Sequence, residues 1–388
     1  MSDITQGGTN EQSILKRQRE VPAFDYLRGL KSQRSEILEA IARVLDSGTL
    51  ILGPEVTAFE NEFAQFVGSK NAIGMSSGTD ALIVALRVLN IGRGHEVITV
   101  ANGPVPTIAA IRAVGATPRF VDIDANCLQM DPRLVPQAIT PATRCIMPLH
   151  LYGCPAPVFP IAELCRENGL ALIEDCAQAH GTYVGDRHAG TFGSIGCFSF
   201  YPTKNLGAFG DAGMCITDDP DLAARIREQS CYGFRNDRVA HVEGLNCRLD
   251  ELQAACLRVR IKTLPKAIEK RRWIAAYYRE QLASLPLQLP LIPNYGKPSW
   301  HQFVIRVAQR EAWIQWLANH HIKVGIHYDQ PVHLMPAYLK IAGGPGALPL
   351  TERVCREVIS LPIFPELLTE DLERVCQSLR SGVEAGLT

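Results

Sequence analysis

Lys204 stands in FSFYPTKNLGAFGDAGM (198–214), with Phe198, Phe200, Tyr201 and Phe209 close by and no carboxylate before Asp211. An ammonium held among apolar and aromatic groups loses hydration. Its pKa then falls from about 10.4, and the free amine can form a Schiff base with an aldehyde. A lysine whose stem packs on the aromatics while its head stays in water would explain the same residues. Asp175 closes the apolar run LALIED, 29 positions earlier. A carboxylate buried there costs several kcal/mol, to within a rough estimate, unless a ligand cation or an arginine meets it. AIGMSSGTDALIVAL (72–86) reads as strand, small polar turn and helix. The amides at that helix start, with the Ser77 and Thr79 hydroxyls, suit a phosphate, although an ordinary N-cap uses the same residue types.

Each stretch taken singly has a plain structural explanation. Together they specify pyridoxal 5'-phosphate: a cradle for its phosphate, an amine for its aldehyde carbon, and a carboxylate for its pyridine nitrogen. That carboxylate keeps the ring protonated, so the ring can accept electrons from a substrate's α-carbon. A competing pattern is GMSSG (74–78), which fits G-x-S-x-G, with Ser76 as nucleophile and Asp175 and His327 following in α/β-hydrolase order. That alternative leaves FSFYPTKN and LNCRLDE unexplained. No G-x-G-x-x-G follows a strand, which disfavours a dinucleotide fold.

The elements that must position these residues follow from hydrophobic pattern. Apolar runs EVITV (96–100), RFVDI (119–123), RCIMPL (144–149), LALIED (170–175), GCFSF (196–200) and MCIT (214–217) lack strict polar alternation, and helical segments separate many of them. This predicts an α/β fold with a mainly parallel sheet covered on both faces, whose ligand site lies beyond the strands' carboxyl ends. In SEILEAIARVLDSG, positions 37, 38, 41, 44 and 45 form one apolar helical face, ended by Gly48. In GPEVTAFENEFAQFVG, Pro54 opens a helix whose Val56, Phe59, Phe63 and Phe66 point inward. The expected organisation is a disordered arm over 1–20, a large α/β domain over 21–250, and a smaller C-terminal α+β domain over 251–388. A long helix over 249–284, kinked at Pro265, connects the last two.

The chain has 388 residues, 46% hydrophobic and 20% charged, with a net charge of −1, as in an ordinary globular enzyme. KRQRE (16–20) is its densest basic spot and reads as a solvated tail, so nucleic acid is not an expected partner. The polar N-terminus lacks a signal peptide's apolar core, and no run approaches the roughly 18 apolar residues of a membrane span. Twelve cysteines occur without a C-x-x-C, several of them in apolar runs. They read as small core residues in a reducing cytoplasm, with no metal site expected.

The ordered blocks LGPEVTAFENEFAQFVG, SSGTDAL, EVITVAN, LHLYGCP, LIEDCAQAHG, FSFYPTKNLGAFGDAG, LNCRLDELQAA and IHYDQPVHLMPAY make the chain resemble the DegT/DnrJ/EryC1/StrS family of nucleotide-sugar aminotransferases. The resemblance spans about residues 21–380 and implies the fold type I architecture of pyridoxal-phosphate enzymes. It implies that Lys204 carries the cofactor as a Schiff base, that Asp175 meets the pyridine nitrogen, and that Gln178 lies near the ring's phenolic oxygen. Gly78, Thr79 and Ser199 would hold the phosphate, and Asn246 would reach the phosphate of a neighbouring subunit in a homodimer with shared active sites. The departure is ANGPVPT (101–107), where many members carry an aromatic over the ring and this chain has Pro104.

The resemblance also implies ping-pong amino transfer from L-glutamate, through pyridoxamine 5'-phosphate, to a keto-sugar carried on a nucleotide. Tyr183 in HGTYVG, and His327 and Tyr328 in IHYDQP, match blocks that contact the hexose in relatives acting at the sugar's third carbon, which favours a 3-keto sugar such as a 3-keto-6-deoxyhexose. A 4-keto sugar or a keto-cyclitol would use the same cofactor apparatus. A cofactor-binding regulator and a dehydratase are disfavoured by the presence of Lys204.

Overall fold

The computed structural model describes residues 19–235, 237–341 and 343–388. Most of the expected N-terminal arm, residues 1–18, lies outside the described residues. Arg19 and Glu20 depart from the expectation for that arm, because each is ion-paired to the C-terminal part: Arg19 to Asp371 at 2.5 Å and Glu20 to Lys323 at 2.8 Å.

The strands are β1 (Asn71–Met75), β2 (Glu96–Thr99), β3 (Thr117–Phe120), β4 (Thr143–Ile146), β5 (Ala171–Asp175), β6 (Tyr183–Val184), β7 (Arg187–His188), β8 (Ile195–Ser199), β9 (Gly213–Thr217), β10 (Gly296–Lys297), β11 (Phe303–Arg306) and β12 (Val358–Leu361). Seven of them form the central sheet in the order β1-β9-β8-β5-β4-β2-β3. Every pairing from β3 across to β8 is parallel, and β9 runs antiparallel to both β8 and β1. The expected mainly parallel sheet is present, and β1, β5 and β8 deliver their carboxyl ends to one edge. β3 lies two residues earlier than its apolar run suggested. Past Phe120 the chain turns away, and Asp122 accepts the Leu350 and Thr351 amides instead of extending the ladder.

β8 shows how side-chain alternation sets up the site. Residues 198 and 200 share one side of the strand path, and Ser199 takes the other. Phe198 and Phe200 enter the core, with ring centroids 5.0 and 5.2 Å from Phe63. Helix Pro54–Val67 supplies Phe63 together with buried Val56 and Phe59. Its first turn is capped from a distance: the fully buried Glu251 carboxylate accepts the amides of Gly53, Glu55 and Val56 at 2.8–2.9 Å. Those groups have no partner within the helix, and a carboxylate also suits the helix's positive end.

Two expectations about helices need correction. The helix expected over 249–284 is two helices, Glu251–Ile261 and Leu264–Gln281. Pro265 does not kink a continuous helix. It occupies the first turn of the second one, where its missing N–H costs no hydrogen bond. In helix Arg34–Ser47, Ile37, Ala40 and Val44 are buried, but Leu38 and Leu45 are 49% and 60% exposed. Among the described residues nothing covers these two side chains.

Around the hairpin β11–β12, Ile274 and Tyr278 of helix Leu264–Gln281 join Phe303, Trp313 of helix Arg310–Asn319, and Leu372 of helix Thr369–Glu384 in one apolar core. Val21, placed by sequence in the large domain, packs into this core and bridges Ile322. All twelve cysteines are free thiols, and among the described residues no helix is long and apolar enough to cross a membrane.

Candidate active site

The carboxyl edge of the sheet gathers Gly78, Asp175 and Ser199. Asp175 is the last residue of β5 and Ser199 the last of β8, while Gly78 opens helix Gly78–Val88 directly after β1. The approach is close. A Cβ on residue 78 would lie 2.6 Å from Ser199 Cβ, so only glycine lets the two meet. The Gly78 and Thr79 amides, in the first turn, have no partner within the helix and point out of its positive end. Ser77 behaves as the ordinary cap, accepting from the Asp80 amide at 3.0 Å and donating to Asp80 Oδ2 at 2.7 Å.

Asp175 is buried, 5% exposed. Thr107 Oγ1 donates to its Oδ2 at 2.7 Å and the Ala177 amide to its Oδ1 at 3.1 Å. Burial raises the Asp175 pKa, and Thr107, Ala177 and the Lys204 charge oppose that rise without cancelling it. Among the described residues no lysine, arginine or histidine nitrogen lies within 4.0 Å of this carboxylate.

Lys204 follows β8 in a turn whose amide donates to Tyr201 O at 2.8 Å. Part of its side chain remains accessible, but the amine end is enclosed, and burial pulls its pKa down to about 8 while Asp175 acts in the opposite sense. The aromatic cage read from sequence is only partly the cause. Phe198 and Phe200 face the core, and Tyr201 is mostly exposed. Two imidazoles missed by the sequence reading, His180 and His301, are buried, and after burial the Lys204 charge acts most strongly on each. Burial, reinforced by that charge, holds both well below the usual imidazole range.

Gln178 and Tyr328 are brought together, with Gln178 Nε2 donating to the Tyr328 hydroxyl at 3.1 Å. Gln178 Oε1 accepts the Tyr152 amide at 2.6 Å. His327 points elsewhere. Its Nδ1 pairs with Ser360 Oγ at 2.8 Å, and its pKa is lowered by burial and by the Lys204 charge. Tyr183 is not joined to this cluster by any hydrogen bond among the described residues. It sits in the small sheet β10-β6-β7, its ring 5.3 Å from His188. Asn246 is exposed, beside Cys247, whose carbonyl accepts the Ser76 amide at 3.0 Å. Pro104 caps helix Val105–Ala113 at the end of β2, and the turn over 101–107 carries no aromatic side chain.

The hydrolase pattern does not assemble. The Ser76 hydroxyl donates to Asp80 at 2.7 Å, Asp175 is held by Thr107, and His327 is held by Ser360, so no relay joins the three. His150, Glu174 and Cys176 lie close enough to suggest a metal centre. Their bonding argues for a structural role. His150 Nδ1 accepts the Ala156 amide, which places the proton on Nε2, facing Glu174 at 3.0 Å. Glu174 also accepts the amides of Gly190, Phe192 and Gly193. That leaves no imidazole lone pair for a cation.

The sequence reading missed Thr107, although it quoted the stretch that contains it. It also missed Tyr152 in LHLYGCP and the His150–Glu174 pair behind Asp175.

A model of the DegT/DnrJ/EryC1/StrS aminotransferase family matches residues 31–380. The chain is 43% identical over 365 residues to the dTDP-3-amino-3,4,6-trideoxy-alpha-D-glucose transaminase of Streptomyces venezuelae, covering 94% of this chain and 96% of that protein. It is 40% identical over 360 residues to the UDP-N-acetyl-3-dehydro-alpha-D-glucosamine 3-aminotransferase of Acidithiobacillus ferrooxidans, covering 93% and 97%. The crystal structure of S. venezuelae DesV in complex with a ketimine intermediate superposes with a TM-score of 0.92 at 43% identity, covering 94% of this chain and 99% of that one. The fold is the fold type I architecture expected from the sequence. The chain is therefore a member of the DegT/DnrJ/EryC1/StrS aminotransferase family.

Proposed function

We propose that this aminotransferase moves an amino group from L-glutamate to a 3-keto hexose carried on a nucleotide, with pyridoxal phosphate as cofactor and Lys204 as its covalent anchor. One observation carries the reading. A buried carboxylate, Asp175, has both oxygens oriented by Thr107 and Ala177 yet meets no cation among the described residues, while an amine drawn down to about 8 lies near it. A protonated pyridine nitrogen supplies the missing partner, and the amine suits an aldehyde. The glycine-only approach of residue 78 to Ser199, with free helix-start amides, fits a phosphate at the other end of the same molecule.

When bound, pyridoxal phosphate supplies an electron sink for the carbanion formed at the donor's α-carbon. The protein's own residues do the rest. Gly78, Thr79 and Ser199 would hold the phosphate, and Asp175 would keep a proton on the ring nitrogen. Gln178, which braces Tyr328 at 3.1 Å, would face the ring's phenolic oxygen. With pyridoxal phosphate bound, the Lys204 amine would be the base that removes the donor's α-proton and the acid that delivers it to the cofactor's C4′ carbon. His180 and His301, held neutral by burial and by the Lys204 charge, add no competing positive charge to that amine. His327, Tyr328 and Tyr183 are proposed hexose contacts.

The 3-keto assignment draws on the relatives named above, one a transaminase of a 3-amino sugar and the other a 3-aminotransferase. A homodimer accounts for the uncovered leucines of helix Arg34–Ser47 and for the exposed Asn246, which would complete the neighbouring subunit's phosphate site. The free buried thiols suit a reducing cytoplasm. The test is incubation with glutamate and a panel of dTDP- and UDP-linked 3-keto sugars, 4-keto sugars and a keto-cyclitol, with the amino product read by mass. Amination confined to 4-keto sugars or to the cyclitol would overturn the substrate reading.

A further inference from the structure

The turn Leu151–Gly153 is strained and unusually well connected. Tyr152 has φ 64°, ψ 8°, and Gly153 follows with φ 77°. A left-handed conformation is unfavourable for a non-glycine residue, whereas glycine would adopt it freely. Strain of this kind persists where surrounding contacts over-determine it, and an observed outlier points toward function. Here the contacts are specific. The Tyr152 amide donates to Gln178 Oε1 at 2.6 Å, and its hydroxyl donates to the His327 carbonyl at 2.5 Å. Gln178 Nε2 in turn donates to the Tyr328 hydroxyl at 3.1 Å.

These bonds close a ring through Gln178, Tyr152 and the peptide unit that joins His327 to Tyr328. One side of the ring is the large-domain edge where Asp175 and Lys204 lie; the other is the C-terminal segment that presents His327 and Tyr328. Burial keeps the Tyr152 hydroxyl protonated well above the usual tyrosine range, so it remains a donor. The turn is fastened on its far side too. The Gly153 carbonyl accepts the Ser299 amide and the Thr182 hydroxyl, both at 2.9 Å, and the Tyr152 carbonyl accepts the Gln302 amide at 3.2 Å. Asp175 and Lys204 make no hydrogen bond to this ring, so it can fail without disturbing them.

We propose that Tyr152 is a positioning residue that clamps the His327–Tyr328 segment onto Gln178, and so governs the nucleotide-sugar step while leaving the amino-donor step alone. This rests on the functional reading above for the identity of the two steps, and on the hydrogen-bond ring alone for the clamp.

Tyr152→Phe removes one hydroxyl and keeps the ring, so folding is retained. Two measurements on the purified holoenzyme separate the possibilities. In the crystal structure of the variant, the His327–Tyr328 segment is expected to move and the 3.1 Å contact between Gln178 and Tyr328 to open. In half-reactions followed separately, the KM for the keto-sugar is expected to rise roughly 5- to 10-fold, the worth of one hydrogen bond. The glutamate step should stay within about 2-fold, because the same bond energy is not drawn on there. An unmoved segment overturns the clamp. Equal losses in both steps, or none in either, overturn its selectivity for the sugar. If the wild type aminates no nucleotide sugar, the functional reading falls, and the crystal structure still decides whether the clamp exists.

Discussion

Thr107 Oγ1 donates to Asp175 Oδ2 at 2.7 Å, one turn into the helix that follows β2, and this bond orients the carboxylate at the end of β5. It favours the ionised form against a burial that opposes it. Thr107→Val keeps the shape and removes the donor. The expected result is a loss of roughly 5- to 10-fold in kcat/KM, with KM for glutamate little changed. Because Thr107 holds the Asp175 pKa down, its removal raises that pKa. The acid limb of the pH–rate profile should therefore move to higher pH, and an unmoved limb would separate Thr107 from the acid it touches.

Lys204, with its pKa drawn down to about 8, governs how the apoprotein takes up pyridoxal phosphate. Below that value the amine is protonated and cannot attack an aldehyde. Above it the free amine predominates. The uptake rate, followed by visible absorbance, should rise with pH to a midpoint near 8 and level off above it. A midpoint near the ordinary lysine value of about 10.4 would show that the fold does not activate this amine.

Much of this was legible in the sequence, for reasons that particular residues make plain. LALIED and GCFSF lack strict polar alternation because both faces of β5 and β8 are covered, so Asp175 could be placed at a strand's carboxyl end, whereas Ser199 was suggested by the family resemblance. Gly48 and Gly68 mark helix ends because each adopts a left-handed φ. Thr107 was not legible, since its partner lies 68 positions away on another strand and a helical threonine is unremarkable in one dimension. Tyr152 was hidden for a different reason. Its left-handed backbone is imposed by contacts to residues 178 and 327, and no local pattern announces it. Leu38 and Leu45 matched the apolar period of helix Arg34–Ser47 and yet are exposed, because periodicity reports a face to be covered and not which chain covers it.

Glu174 is buried and accepts the amides of Gly190, Phe192 and Gly193 together with His150 Nε2. Glu174→Gln exchanges one acceptor oxygen for a donor facing donors. It should cost about 3–5 kcal/mol, read as a lowered unfolding midpoint in urea. Burial acts against the charge, but His150 and the backbone donors outweigh it and hold the pKa below 4.5. The stabilisation is thus complete above the unfolded value and is lost as pH falls through the lower, folded value. The wild type should lose its advantage over the variant in strong acid. A constant gap down to the lowest pH would contradict this.

Leu38 and Leu45 lie uncovered on one helix. If a second copy covers them, Leu38→Glu with Leu45→Glu should convert a dimer to monomer in sedimentation and lower activity through loss of the neighbour's Asn246. Burying two unpaired carboxylates in an apolar contact costs several kcal/mol by rough estimate, enough to dissociate a micromolar dimer. An unchanged sedimentation coefficient would place the interface elsewhere.

The most direct measurement is borohydride reduction of the purified yellow protein, followed by digestion and mass analysis of every lysine-containing peptide. A phosphopyridoxyl group fixed on Lys204 alone, absent when Lys204→Ala is treated in the same way, is the predicted result. A reduced adduct on a different lysine, or a protein that carries no cofactor yet transfers amino groups at full rate, would contradict it.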